Sequence, residues 1–385
     1  MKRRMRAMPA AAAALLFVLA ACGGTASNDE GGNGSEEAGS EIVAPDIDAA
    51  REQAEAFRTL GMPDDWINFG DFYQSLCDSY ELGCIGSAVD GTNRTDTDMS
   101  SAEEIAAFKN ETTNTGLCAD IGIAFGQVAD AEEVLIDYMP EAADELPESY
   151  KSPTGGWVAS AVGVISIMTN TDVVSSPPQS FGDLLKPEYA GLVTLSNPVT
   201  SGTGQATVFS TAAALSANPG EFDLDAALAY WTEFFGAGQR NEADFSAAAF
   251  ERGETPIRLA YDFVNTQTAL LAQEKGIGVE IVIPDEGGVW SPSATMCNAK
   301  TVDPDLAKLV LDHTLSDEGQ LVFAEVGARP VRFTLGDLDV PENLRTTWLP
   351  DSEYERVIQY PDSAWPDPAI VAERWENEVL TAAGG

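Results

Sequence analysis

The sequence predicts an α/β protein with mainly parallel strands arranged in two sheets. Short apolar runs rich in β-branched residues alternate with segments of roughly 10–15 residues that have helical apolar spacing. This alternation continues from about residue 48 to residue 380 without an internal repeat. A globular part of this length indicates two domains, because single hydrophobic cores stop growing near about 250–300 residues.

The elements of the first half follow from apolar spacing and from helix-start signals. Residues 48–59 begin as a helix, and a short strand follows at 57–62 before the turn at Pro63. Two capping boxes open a helix over 100–109, Ser100 with Glu103 and Ser101 with Glu104. The other predicted elements are a helix at 69–80 and strands at 84–88, 120–125 and 157–168, the last of which is a long β-branched run.

The second half alternates in the same way. Trp231 and Phe234 lie on one side of a predicted helix, and leucines at helical spacing mark a helix over 304–314. The predicted strands are 192–196, 256–262 and 279–284, and the predicted helices are 180–185, 205–216, 225–235, 245–251, 266–275, 304–314, 318–326 and 370–380.

The first 22 residues have the three parts of a bacterial secretory signal with a lipobox. A basic start leads into an apolar run over 10–21, and Leu19-Ala20-Ala21 precedes Cys22. The run is too short to span a bilayer as a mature helix, which needs about 20 residues. We therefore expect a signal peptide over 1–21, lipid on Cys22, and a protein outside the cytoplasm, anchored to the cell membrane in the periplasm or at the cell surface. A plain transmembrane anchor is the alternative.

The segment after Cys22 has the composition of a flexible tether. Residues 27–41 contain no aromatic or β-branched residue, so they cannot bury enough apolar area to offset their ordering entropy. We assign 22–45 to this tether. The formal net charge of the chain is −41, which disfavours nucleic acid and anionic lipid surfaces as partners. The acidity fits either a solvated surface in a salty or acidic habitat or attraction of a cationic solute.

Four cysteines remain if Cys22 carries lipid. An even number in an oxidising compartment is typical of two disulfides. Cys77 and Cys84 flank a predicted turn, so we pair them, which leaves Cys118 with Cys297. A metal site is the alternative interpretation, but its usual C-x2-C spacing and histidine partners are missing from the sequence.

His313 is the only histidine in the chain, and it lies in the helix predicted over 304–314. A single histidine excludes multi-histidine metal sites, and no nucleophile elbow accompanies it. The commonest hydrolase classes are therefore disfavoured, although carboxylate-based catalysis stays open. We expect no enzyme activity, no cofactor and no bound metal.

Ligands in open α/β sheets bind where strands end and the following helices begin. One segment with this placement is Thr200-Ser201-Gly202-Thr203-Gly204. Its glycines allow close backbone approach, and free amides at a helix start favour an anion. It lacks the Gly-Lys-Ser/Thr of a P-loop, and a simple N-cap loop is the alternative. The other segments with this placement are 63–66, 98–101 and 125–126.

Acidic and aromatic side chains near these strand ends are candidates to bind an ammonium group. Carboxylates attract it directly, and aromatic faces attract it through cation–π interactions. Each residue alone also fits a surface acid or a core aromatic. The acids are Asp64, Asp65, Asp98 and Asp262, and the aromatic residues are Trp66, Trp157, Tyr261 and Trp290.

Six stretches, taken in order, carry a family resemblance that spans nearly the whole mature chain. They are Pro63-Asp64-Asp65-Trp66, Met99 to Glu104, Asp120 to Gly126, Ser180 to Gly191, Asn197 to Gly204 and Leu315 to Gln320. With them the chain resembles the extracytoplasmic solute-binding proteins of ABC importers. It looks closest to extracellular solute-binding family 1, which includes ferric-iron, polyamine, thiamine and 2-aminoethylphosphonate binders.

The resemblance implies the type II periplasmic-binding-protein fold, with two lobes joined by two crossing strands. Lobe one would comprise 46–160 plus 290–385, and lobe two 161–289, with the solute in the cleft between them. Iron binders of the family use paired tyrosines, whereas Tyr261 stands alone here. The contact residues that the resemblance implies are Asp64, Asp65, Trp66, Ser100, Ser101, Phe125, Gly126, Ser201, Gly202, Thr203, Tyr261, Asp262 and Asn265.

We therefore interpret the chain as the solute-binding lipoprotein of an ABC importer. Its solute is expected to be a small amine or zwitterion, of the polyamine or aminophosphonate type. The expected partners are this solute, a membrane permease and the membrane itself through the lipid, and the protein is expected to be a monomer. The alternatives are a ferric-iron or other anion or metal-complex binder, an extracellular carboxylate-dependent hydrolase, and a surface adhesin or signalling lipoprotein.

Overall fold

The structure is a computed structural model that describes residues 43–113, 115–218, 220–359 and 367–382. The predicted signal peptide, Cys22 and most of the predicted tether lie outside these residues. None of the helices in these ranges combines the length and the apolar content that crossing a bilayer requires.

Twelve strands form the sheets of the described chain. They are β1 (Phe57–Leu60), β2 (Arg94–Thr97), β3 (Cys118–Gly122), β4 (Trp157–Gly163), β5 (Ile165–Asn170), β6 (Val193–Leu195), β7 (Ile257–Tyr261), β8 (Val279–Val282), β9 (Gly288–Val289), β10 (Ser291–Cys297), β11 (Arg329–Pro330) and β12 (Val357–Ile358).

The α-helices alternate with these strands. They are α1 (Ile47–Gln53), α2 (Phe69–Ser79), α3 (Ser101–Asn110), α4 (Ala124–Ala131), α5 (Gly202–Ala214), α6 (Leu224–Gly236), α7 (Ala247–Glu251), α8 (Asp262–Glu274), α9 (Pro304–Thr314), α10 (Asp317–Glu325), α11 (Val331–Thr334) and α12 (Pro368–Arg374). A π-helix continues α12 over Trp375–Leu380, and short 3-10 turns cover Glu141–Glu145, Glu148–Tyr150, Asp183–Leu185, Pro187–Tyr189, Glu342–Leu344 and Asp351–Arg356.

Two main sheets organise the fold, and both are mixed rather than mainly parallel. The larger sheet has the order β11-β4-β10-β3-β1-β2, and the smaller has the order β6-β7-β5-β8. Strand β1 runs parallel to β2 and β3, and β6 runs parallel to β7. Strands β10 and β5 run antiparallel to their neighbours.

The chain passes from one main sheet to the other twice. The apolar run predicted as one strand over 157–168 forms β4 in the larger sheet and β5 in the smaller sheet, with Val164 between them. The return runs from β8 to β10. Aromatic contacts join helices of one hydrophobic core: Phe72 on α2 stacks on Phe323 on α10, and Trp231 on α6 packs against Trp375 near the C-terminus.

The prediction of a second strand at 84–88 is wrong, because β2 lies at Arg94–Thr97 in the segment predicted as a polar loop. The reason is the fully buried side chain of Arg94. Its guanidinium donates to the carbonyls of Met62 and Gly86 and pairs with Asp64. A buried charge held by backbone carbonyls replaces the apolar residue that a strand pattern would show.

Both predicted disulfides are present. Cys77 at the end of α2 is bonded to Cys84, and Cys118 is bonded to Cys297. The second bond joins directly opposed residues of the antiparallel strands β3 and β10. It therefore links two parts of the larger sheet that are far apart in sequence.

Three element boundaries differ from the predicted ones and change the placement of candidate site residues. Strand β3 ends at Gly122, so Phe125 and Gly126 lie in α4 rather than after the strand. Helix α5 begins at Gly202, and Asp262 is the first residue of α8 rather than the end of a strand.

Candidate functional site

A cavity of about 230 Å³ lies where elements of both main sheets meet. The larger sheet contributes the residues that follow β1 and β2 and the end of β3. The smaller sheet contributes the residue after β6 and part of β7. The lining comprises Gly61, Pro63, Trp66, Asp98, Met99, Ser100, Ser101, Glu104, Asp120, Gly122, Ser196, Ser201, Gly202, Thr203, Arg258, Tyr261 and Ser293.

The first turn of α3 forms one wall. The Ser100 amide and hydroxyl both donate to the Glu103 carboxylate, which confirms the first predicted capping box. The second predicted box is absent, because Ser101 is already helical and Glu104 is buried at the cavity. The Ser101 hydroxyl instead accepts the amide of Gly122, 3.3 Å away. The start of α3 is thereby fixed against the end of β3.

The first turn of α5 forms the facing wall. Ser201 caps the helix, and its hydroxyl accepts the amide of Gly204. The amides of Gly202 and Thr203 make no hydrogen bond within the described part of the chain. Amides of this kind, at the positive end of a 13-residue helix, form an anion-binding position.

Two glycines allow these walls to touch. A Cβ on Gly122 would lie 2.5 Å from the Cα of Gly202, which no real side chain tolerates. The amide of Ala102 also donates to the carbonyl of Thr200 across the same contact, at 3.2 Å. The end of β3 and the starts of α3 and α5 therefore meet through backbone contacts, and the contact between Gly122 and Gly202 depends on the absence of side chains.

Two buried carboxyl groups lie on the side of the cavity nearest β1. Glu104 is 1% exposed and Asp120 is 7% exposed, and one oxygen of each has no hydrogen-bond partner among the described residues. Gly61 has positive φ and leaves the space that the Glu104 carboxyl occupies. The indole of Trp66 donates to the other Asp120 oxygen at 2.6 Å.

The environment raises the pKa of both carboxyls. Burial raises the pKa of Asp120 to about 8, and the hydrogen bond from Trp66 only partly opposes this effect. Burial, followed by the nearby Asp120, raises the pKa of Glu104 well above its usual value. Burial therefore favours the protonated form of both groups, and a cation beside them would favour the ionised form.

Arg258 supplies the basic group of the cavity. Its guanidinium lies over the ring of Phe245, 3.8 Å from the ring centre, and desolvation lowers its pKa to about 10. It remains charged at neutral pH. Tyr261 completes this side, stacked on Phe263 with ring centres 5.3 Å apart.

The structure brings eight of the predicted contact residues to the cavity. They come from three predicted segments and from the end of β7, which shows that those segments converge. The eight are Trp66, Asp98, Ser100, Ser101, Ser201, Gly202, Thr203 and Tyr261.

Asp64 and Asp65 lie outside the lining. The Asp64 carboxylate accepts from Ser87 and from the amide of Ala88, and it pairs with Arg94. It therefore stabilises the turn after β1 and faces away from the cavity. Asp65 is exposed to solvent.

Asp262 and Asn265 also lie outside the lining, because their side chains hold the smaller sheet. The buried Asp262 carboxylate accepts the amide of Val164 and the hydroxyl of Tyr354. Asn265 donates to the hydroxyl of Ser166 on β5. Trp290, the other aromatic candidate from this region, stacks on Tyr354.

Phe125, Gly126 and Trp157 form a packed unit outside the lining of the cavity. A Cβ on Gly126 would lie 2.7 Å from the indole of Trp157. That indole donates to Asp130 at 3.0 Å, and Phe125 is buried in the core. The strand predicted to end at Phe125 ends three residues earlier, and this shift carries the unit away from the cavity.

Sequence reasoning missed Glu104, Asp120 and Arg258. Asp120 and Arg258 each interrupt an otherwise apolar strand, and that interruption is a usable signal for an inward-facing polar group. Glu104 gave a misleading signal, because its position also fits a capping box. Within the described ranges, no three histidine, cysteine or carboxylate side chains converge as metal ligands.

The two main sheets, and a polar cavity where elements of both meet, are features of an α/β binding-protein fold. The family model described as bacterial extracellular solute-binding protein matches residues 119–354. The chain belongs to this bacterial extracellular solute-binding protein family.

Solved structures show the same fold at low sequence identity. The periplasmic binding protein AfuA from Actinobacillus pleuropneumoniae, with exogenous fructose-6-phosphate bound, is 16% identical, with a TM-score of 0.66 over 84% of this chain and 98% of that one. The spermidine/putrescine ABC transporter substrate-binding protein PotD from Streptococcus pneumoniae is 14% identical, with a TM-score of 0.54 over 85% and 98%. An uncharacterized protein of Haemophilus influenzae is 26% identical over 235 residues, which span 57% of this chain and 64% of that protein.

Proposed function

We propose that this protein is the solute-binding component of an ABC importer. We propose further that its cavity captures a small zwitterion with an ammonium group at one end and a phosphonate or phosphate group at the other. The observation that carries this proposal is the combination of groups in the cavity lining. It includes two buried carboxyl groups, each with an oxygen that has no hydrogen-bond partner in the described chain, together with the unbonded amides at the start of α5 and one arginine.

The ammonium end of the solute binds at Glu104 and Asp120. Each has an oxygen without a hydrogen-bond partner in the described chain, and burying such an oxygen is costly unless a ligand satisfies it. An ammonium group supplies three donors and favours the ionised form of both carboxyls. The ring of Trp66 lies beside them as an aromatic wall.

The anionic end binds at the start of α5. The amides of Gly202 and Thr203 lie at the positive end of the helix, and the hydroxyl group of Ser196 lines the same cavity. Arg258 adds a full positive charge. A phosphonate has three oxygens to accept these donors, which suits it better than a single carboxylate.

This combination argues against a polyamine, because the second ammonium of a polyamine would face Arg258 and the positive end of α5. The fold itself does not decide the question, since the AfuA structure holds a sugar phosphate and PotD is named for spermidine and putrescine. The choice between the two solute classes therefore depends on the residues that line the cavity.

The paired acids also bear on the hydrolase alternative. Carboxylate-based hydrolysis needs one protonated and one ionised carboxyl in the resting site. Here burial raises the pKa of both Glu104 and Asp120, and neither carboxyl has a salt-bridge partner in the described chain that would keep it ionised. Binding explains the pair better than catalysis.

We also propose how the protein works in the cell. The lobes comprise 46–160 plus 290–385 and 161–289, they close on the solute by a hinge motion, and the closed form delivers it to a membrane permease. The two changes of sheet, at Val164 and between β8 and β10, support these boundaries. Lipid on Cys22 anchors a monomer at the membrane outside the cytoplasm.

The test is isothermal titration calorimetry with four probes that separate the two ends. The probes are 2-aminoethylphosphonate, ethylphosphonate without the amine, ethylamine without the phosphonate, and putrescine. We expect 2-aminoethylphosphonate to bind at least tenfold more tightly than any other probe. Equal or tighter binding of putrescine would reject this assignment of the two ends, and no binding by any probe would reject the solute class.

Two variants test where the ammonium end and the anionic end of the solute bind, and a third variant is the matched control. Asp120→Asn should weaken 2-aminoethylphosphonate and leave ethylphosphonate nearly unchanged, whereas Ser201→Ala should weaken both. Asp65→Asn removes an exposed carboxylate outside the lining and should change neither. An equal loss in Asp120→Asn and Asp65→Asn would indicate a general charge effect instead of a contact.

A further inference from the structure

A second cavity of about 270 Å³ adjoins the main cavity, and Ser196 and Arg258 line both. Its remaining walls are the end of β6, the segment from Arg240 to Phe245 that follows α6, and the neighbouring part of β7. We call it the side cavity. It belongs to the smaller sheet alone, whereas the main cavity uses both sheets.

The side cavity contains two arginines without an acidic partner. Most arginines and lysines of the described ranges form a salt bridge, and the four that do not are Arg240, Arg258, Lys300 and Arg345. Two of these four line this one cavity. In a chain with 62 acidic and 21 basic residues, two neighbouring arginines left without carboxylates indicate a position kept for another anion.

Two aromatic rings and an unbonded hydroxyl group lie beside these arginines. Phe245 supports the guanidinium of Arg258 at 3.8 Å, and Phe235 lies 5.7 Å from that of Arg240. Both rings orient the guanidinium groups without neutralising them. The Ser196 hydroxyl makes no hydrogen bond to the described chain, and Asp244 is the one acid in the lining, where it is exposed.

We propose that the side cavity binds a second anionic group of the same solute, held between Arg240 and Arg258. The solute then passes Ser196, with one phosphate or phosphonate at the start of α5 and the second acidic group beyond Arg258. Two guanidinium groups match the paired oxygens of a phosphate or carboxylate, and the shared wall lets one molecule reach both cavities.

This inference rests on the proposed function for the anionic end alone, and it extends the solute class from a simple aminophosphonate to a compound with two acidic groups. Substitution of Arg240 tests this inference, because Arg240 lines the side cavity and is absent from the lining of the main cavity. A change at Arg240 therefore separates the two positions.

The test compares inorganic phosphate with pyrophosphate by isothermal titration calorimetry, in chelator-treated buffer at pH 8. Phosphate has one anionic group, and pyrophosphate has two that are joined by one bridging oxygen. We expect pyrophosphate to bind wild-type protein at least tenfold more tightly than phosphate. Arg240→Gln should remove this preference and leave phosphate affinity within about twofold, which also shows that the variant is folded.

Two further variants sharpen the result. Arg240→Lys keeps the charge and should restore part of the preference. Arg345→Gln removes an equally unpaired but exposed arginine elsewhere and should leave the preference intact. The inference is overturned if wild-type protein binds both probes equally, or if Arg240→Gln keeps the pyrophosphate preference. A preference that depends on Arg240 in a protein that ignores 2-aminoethylphosphonate supports the side cavity while rejecting the zwitterion.

Discussion

Replacing Asp120 with asparagine should stabilise the unliganded protein, by an amount that grows with pH. The Asp120 carboxyl is 7% exposed, and burial raises its pKa from 3.8 to about 8. Between these values the folded chain keeps a proton that the unfolded chain releases, so folding takes up a proton. The contribution of this carboxyl to the free energy of unfolding is therefore greatest below about pH 4. It decreases as the pH rises through the folded pKa of about 8 and stays constant above it.

The magnitude follows from the same shift. At pH 7 the group lies roughly 3 units above its unfolded pKa, and each unit corresponds to about 1.4 kcal/mol, so its cost approaches about 4 kcal/mol. An asparagine carries no such cost. Its side-chain oxygen can still accept the indole of Trp66, which donates to Asp120 at 2.6 Å.

Urea unfolding of both proteins at pH 5, 6, 7, 8 and 9 measures this difference. The advantage of Asp120→Asn should increase by about 1.3 kcal/mol per pH unit between pH 5 and 7 and level off only above about pH 9. Asp65→Asn, at an exposed carboxylate, accounts for the general effect of removing one negative charge. A constant difference from pH 5 to 8, or a less stable Asp120→Asn at pH 7, would refute the reasoning.

Three further predictions concern binding, closure and covalent links. Binding of 2-aminoethylphosphonate at pH 7 should release protons. The measured binding heat should then depend on the ionisation enthalpy of the buffer. Proton uptake would mean that the buried carboxyls face an anion. Gly122→Ala should weaken solute binding at least tenfold, because its methyl group meets Gly202, whereas Gly236→Ala, which meets no atom within 4 Å, should bind normally in the same titration. Loss of the Cys118–Cys297 bond, which closes a separation of 179 residues, should lower the free energy of unfolding by about 5 kcal/mol. Loss of Cys77–Cys84, with a separation of 7, should lower it by about 2 kcal/mol. Equal decreases in urea unfolding would contradict this ordering.

The sequence predicted the fold well wherever apolar spacing and helix-start residues agreed. Helix α9 has the predicted bounds, and Ser100 caps α3 as expected. The pattern failed at β2, because the buried Arg94 has its charge bound by carbonyls that are distant in sequence. No local pattern contains those partners, so only the assembled fold identifies this strand.

The candidate site was predictable by segment and less so by side chain. Placement at strand ends located the segments around Trp66, Ser100 and Ser201, all of which line the cavity. It could not separate Asp64, which turns towards Arg94, from Asp120, which faces the cavity. That choice depends on which way a side chain leaves the backbone, and a shift of one residue in a strand reverses it.

The bond between β3 and β10 also determines how the protein carries mechanical load. Strands β5, β6, β7 and β8 all lie between Cys118 and Cys297 in sequence, so the whole smaller sheet belongs to a loop closed at its base by a covalent bond. A pulling force applied between the two chain ends would pass through that bond and leave the loop slack. The half of the protein that supplies the start of α5 and both arginines of the side cavity would therefore keep its shape under tension until the disulfide is reduced.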